Sequence, residues 1–134
     1  MKPHQLNGCG GRSLGVALFL LGMVRLGSAG LFDEWEYRAK ITFPEVNPAA
    51  PLTNFPALII LGTNMTGFEA AQFGSPQGAD LRFADSNETT ALNYEIEDFN
   101  SNGTVSAWVQ LPHLAGTNDF IYAYWGRTSV TASA

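Results

Sequence analysis

The chain reads as an all-β protein: an antiparallel β-sandwich, jelly-roll-like, behind an N-terminal signal peptide. Three observations predict this. Apolar and polar residues alternate with a period of two through much of residues 36–125, the spacing of half-buried strands. Fourteen Gly and seven Pro punctuate those runs, as closely spaced turns require. No long stretch carries the 3.6-residue period of a helix. The 134 residues suit one domain.

The export segment comes first. Lys2, His4 and Arg12 form a basic lead, Leu14 to Val24 an apolar run, and Gly27-Ser28-Ala29-Gly30 a small-residue end. That is the layout of a signal peptide, here residues 1–30. The run is about half the length of a membrane span, so no span is expected in the mature chain. Cleavage is expected after Ala29 or Gly30. Cys9 precedes the apolar run, which excludes a lipoprotein reading. It is the single cysteine, so the mature chain has no disulfide and no Cys-based zinc site.

The remaining residues 31–134 form the predicted sandwich domain. Glu36–Phe43 alternates, with Tyr37, Ala39, Ile41 and Phe43 on one face. Pro44, Pro48 and Pro51 break the chain. Phe55–Leu61 is apolar throughout and predicts a central strand, with Pro56 near its start. Phe68–Phe73 suits one helical turn. Ala79–Ala84 places Leu81 and Phe83 inward, Asp80 and Arg82 outward. Ala91–Phe99 turns Leu92, Tyr94 and Ile96 inward, and Asn93, Glu95 and Glu97 outward. Asn102-Gly103 marks a hairpin. Val105–Leu111 buries alternate residues, Pro112–Thr117 turns, and Phe120–Trp125 is apolar on both faces. The predicted core is Phe55, Leu58, Ile59, Leu81, Phe83, Tyr94, Ile96, Val109, Ile121 and Tyr122.

Six segments, in order, resemble the domain of unknown function DUF2341. They are Trp35–Phe43, Leu52–Pro56, Gly78–Phe83, Leu92–Glu97, Ala107–Pro112 and Tyr122–Gly126. The resemblance implies an exported bacterial or archaeal all-β module. Such modules often precede laminin-G-like sandwiches, and some lie in the extracytoplasmic part of proton-channel-type transport energisers. It implies no activity and no catalytic residue. The family's usual Asn after Tyr-Trp-Gly is Arg127 here. The sequence stops seven residues later, which leaves open a fragment or a truncated reading frame.

Charge excludes one class of partner. The first thirty residues hold three basic residues and no acid; the remainder holds four basic residues and all twelve acids. A nucleic-acid binder needs a basic face. No Gly-x-Ser-x-Gly elbow, phosphate loop or dinucleotide fingerprint is present. His113 sits in a predicted turn with no triad partner. Glu95 and Glu97 stand about 6.5–7 Å apart along one strand, but a glycosidase pair must flank the bond from opposite sides. The chain is therefore expected not to be an enzyme.

Two candidate sites remain. Trp108 points away from Val105, Ala107, Val109 and Leu111. On a polar face it offers a flat apolar ring and one N–H to a sugar, with Glu95, Glu97 and Asn93 as hydroxyl ligands. Asp80, Asp85 and Asn87 supply hard oxygens near turns, and calcium is the ion they suit; no other cofactor is expected. The expected function is recognition at the cell surface, with a polysaccharide as partner. The alternative is a spacer or assembly module in contact with an envelope protein. The expected location is exported: periplasmic, cell-surface or extracellular.

Overall fold

The structure, a computed structural model, describes residues 30–131. The apolar export run and Cys9 lie outside the described residues. Six strands follow one another: β1 (Tyr37–Thr42), β2 (Leu52–Leu61), β3 (Arg82–Ala84), β4 (Tyr94–Phe99), β5 (Val105–Leu114) and β6 (Phe120–Trp125). They form two antiparallel sheets of three strands, ordered β1-β6-β3 and β2-β5-β4. The predicted all-β, two-sheet architecture is thus observed.

One core cluster draws on both sheets. The alternation in β5 buries Val105, Ala107, Val109 and Leu111 almost completely. From the other sheet come Phe83, Ile121, Ala123 and Trp125. Phe83 meets Tyr94 edge-to-face at 5.2 Å, and Trp125 stacks on Tyr37 at 5.8 Å. On the outer side of β6, Phe32 from the segment before β1 packs on Tyr124 at 5.1 Å, while Arg38 and Lys40 of β1 lie over the Tyr122 and Phe120 rings.

Two predicted core positions are corrected. Leu58 is 45% exposed and Phe55 38% exposed. Strand β2 is an edge strand, not a central one. Leu58 and Ile60 face outward, while Ala57, Ile59 and Leu61 are buried. Tyr94, Ile96 and Tyr122 are only partly buried, the first two packed against the core cluster. Strand β5 also runs through Pro112 and His113, which were expected to turn; His113 pairs with Thr53. Pro112 fits because its missing N–H lies on the side where β4 has already ended, Gln110 N–H being the last to donate there, to Asn93 C=O. The helical turn is a single 3-10 turn, Ala70–Gln72.

Asp80 is the largest correction. It is fully buried rather than outward. Its carboxylate accepts four backbone N–H groups: Gly74, Gly126 and Arg127 on Oδ2 at 2.9, 2.7 and 2.9 Å, and Ser75 on Oδ1 at 3.2 Å. Its own carbonyl accepts from Trp35 Nε1 at 2.6 Å. One side chain therefore ties the loop after the 3-10 turn to the end of β6. The approach is close: a Cβ at Gly74 would fall 2.6 Å from the Arg127 carbonyl carbon. Gly126 has φ +92, and a Cβ there would run into the Tyr37 ring, so only glycine fits.

Among the described residues two ion pairs form, Arg38–Glu88 and Arg127–Glu34. Glu88 accepts from the Tyr124 hydroxyl and from Arg38, and these groups hold its carboxyl below the usual glutamate range. A lowered folded pKa contributes stability that is present above the ordinary value and lost as pH falls through the lowered one. Replacing Tyr124 with Phe should therefore raise the Glu88 pKa toward its ordinary value, remove the stability this shift contributes near neutral pH, and shrink the part of the acid-induced loss that Glu88 carries. An NMR titration of the Glu88 side chain checks this; an unchanged midpoint would contradict it.

Candidate functional site: the outer face of the β2-β5-β4 sheet

Strand register builds this face. Trp108 in β5 stands directly between Leu58 of β2 and Glu95 of β4. It is 42% exposed, as its alternation predicts. Trp125 is buried and Trp35 is partly buried. Two residues further along on the same face, Asn93 Nδ2 donates to Gln110 Oε1 at 3.2 Å, so an exposed amide pair lies next to the ring. Asn93, Glu95 and Trp108 are thus brought together.

Glu97 is placed differently. A β-bulge interrupts β4 between Ile96 and Asp98. Glu97 is the extra residue, and Asp98 takes the position opposite Ser106. Asp98 therefore occupies the outward place expected for Glu97, and both are exposed. The bulge has a sequence signal: the inward apolar residues change parity from Tyr94 and Ile96 to Phe99, which packs on Phe73 at 5.3 Å.

The candidate calcium ligands are not assembled. Asp80 points its carboxylate at four N–H donors in the core, an environment that serves an anion and not a cation. Asp85 closes its own turn, accepting from Thr89 and Thr90 N–H at 2.8 and 3.0 Å. Burial pushes the Asp85 carboxyl up, but the Thr90 and Thr89 donors outweigh it and hold the pKa below the ordinary value. Asn87 is exposed in the same turn. Among the described residues, no group of three or more His, Cys, Asp or Glu is placed to hold a metal ion.

A cleft of about 530 Å³ opens between β1 and β2. Ile41, Phe43, Leu58, Ile60 and Met65 give it apolar walls, Lys40 stands at its rim, and its lining holds no carboxylate. Sequence reasoning missed the Leu58–Ile60 side of this surface. The signals were present: Pro56 inside the run and the absence of any charge from Leu52 to Leu61.

No helix among the described residues is long and apolar enough to cross a membrane. No curated protein and no solved structure matches the chain. Trp35–Phe43 and Leu52–Pro56 lie outside the residues that match a family model, whereas Gly78–Phe83, Leu92–Glu97, Ala107–Pro112 and Tyr122–Gly126 lie within them. Residues 77–134, which carry β3 to β6 and the Trp108 ring, match the domain of unknown function DUF2341.

Proposed function

We propose that this protein is an exported, non-catalytic recognition module that binds a polysaccharide on the Trp108 face. The observation that carries the reading is the ring itself: an exposed Trp on a sheet face, with a carboxylate on one side and an amide pair next to it. The ring stacks on the apolar face of a sugar. Glu95, Asn93 and Gln110 bind hydroxyls. Glu95, Glu97 and Asp98 line the β4 side of the site with negative charge, which disfavours a polyanionic glycan and favours a neutral one.

A glycan-array screen of the purified chain tests this. Binding is expected among neutral polysaccharides and weaker binding among uronate-rich ones. Silence across the array would overturn the proposal. A second reading, an assembly module, is favoured by one specific observation: Leu58 and Ile60 are exposed apolar residues beside the ring.

A further inference from the structure

The four edge strands are not protected alike. Strand β1 carries Arg38 and Lys40, β3 has three residues, and β4 combines a bulge with Glu95, Glu97 and Asp98. Each is a known device against edge-to-edge pairing. Strand β2 has ten residues and no charge, its one such device being Pro56, and its edge borders the open cleft.

The hydrogen-bonding direction of that edge can be read out. Gln110 N–H donates to Asn93 C=O, so Gln110, Trp108 and Ser106 direct their backbone groups toward β4. Their antiparallel partners Pro56, Leu58 and Ile60 therefore direct theirs away from β5, to the free edge. Two of the edge groups are special. Pro56 has no N–H to offer. The Ile60 carbonyl already accepts from Asn64 Nδ2 at 3.1 Å. What remains free is Leu58 N–H, Leu58 C=O, Ile60 N–H and Pro56 C=O.

We infer that this edge pairs with the same edge of a second copy of the chain, antiparallel about a two-fold axis at Leu58. The pattern is self-complementary. Leu58 exchanges two hydrogen bonds with the partner's Leu58. Ile60 N–H donates to the partner's Pro56 C=O, and the reverse bond forms by symmetry. In this register the Ile60 carbonyl would face the donor that Pro56 lacks, and Asn64 satisfies that carbonyl instead. Every free edge group from Pro56 to Ile60 is then paired or capped, as an isologous interface requires. Side chains agree: Leu58 meets the partner's Leu58, Ile60 meets the partner's Pro56, and no like charges are opposed. The product is a continuous six-stranded sheet with two Trp108 rings about 14 Å apart on one face, three strand spacings.

Sedimentation velocity across a concentration series, with engineered cysteines, tests the pairing and its register. Cys9 is first replaced by serine. The chain is expected to sediment as a concentration-dependent dimer. In a hydrogen-bonded antiparallel pair, residue 58 lies about 5.5 Å Cα to Cα from its copy, within disulfide reach. Leu58→Cys should therefore cross-link on mild oxidation. Ile60→Cys should not, because its copies stand about 13 Å apart along the strand. Leu58→Lys, at an already exposed position, should leave the far-UV spectrum unchanged and raise the dimer dissociation constant at least tenfold. Trp108→Ala should leave the dimer intact, which separates this inference from the glycan reading. A monomer at all concentrations, equal cross-linking at 58 and 60, or a dimer unaffected by Leu58→Lys would each overturn it.

Discussion

Asp80→Ala is expected to destabilise the fold by about 3–5 kcal/mol, on the scale of other broken buried charge contacts. The carboxylate is fully buried and satisfies four backbone N–H groups. Alanine leaves all four without an acceptor in a region closed to water, and each lost partner costs on the order of 1–3 kcal/mol before relaxation. A domain of this size is stable by about 5–15 kcal/mol in all, and the described chain has no disulfide to compensate. Asp80→Asn should fall between wild type and alanine. The Oδ2 position takes three of the four bonds, so an amide can keep its oxygen there and turn its NH2 toward Ser75. Urea unfolding of the three proteins checks the order. A loss under 1 kcal/mol for Asp80→Ala would show that the hub is not what joins the 74–75 loop to the end of β6.

Phe83→Ala should cost a similar amount, about 3–5 kcal/mol, by a different mechanism. Phe83 is completely buried, pairs with Ala123 across β3–β6 and touches Tyr94 of the opposite sheet. Removing the ring loses its transfer energy and leaves a cavity where the two sheets meet. Strand β3 has only three residues, and Phe83 is its largest buried side chain. Thermal and denaturant unfolding should show the loss with an unchanged outer face. A change below 1 kcal/mol would mean that the sheets do not meet at this residue.

Much of the fold was legible because period-two alternation is a direct consequence of strand geometry. Strands β1, β4, β5 and β6 lie close to their predicted spans, and Trp108 faces outward as its position between Ala107 and Val109 requires. The errors share a cause: the pattern of one strand does not say what covers its faces. Leu58 and Ile60 look like core residues by type, yet β2 is an edge and its outer face is bare. Asp80 looks like a surface acid by parity, yet the chain converges four N–H groups on it from residues 74–75 and 126–127. That convergence is long-range, so no local pattern reports it. Glu97 lost its predicted place to Asp98 through a bulge, whose trace in the sequence is a change of parity at Phe99. Of the candidate site, Trp108, Asn93 and Glu95 were readable from alternation alone. Gln110 as the partner of Asn93 needed the register.

The most direct measurement of the account is a paired one on Trp108→Ala: a thermal melt and a titration with whichever neutral glycan the array returns. An exposed ring contributes to ligand contact and little to the core. The melting temperature should therefore stay within about 2 °C, less than the shift a 1 kcal/mol loss produces in a domain of this size. Affinity should fall at least tenfold, about 1.4 kcal/mol of binding energy. A protein strongly destabilised by the change, or one that binds the glycan as tightly as before, would contradict a recognition face built around Trp108.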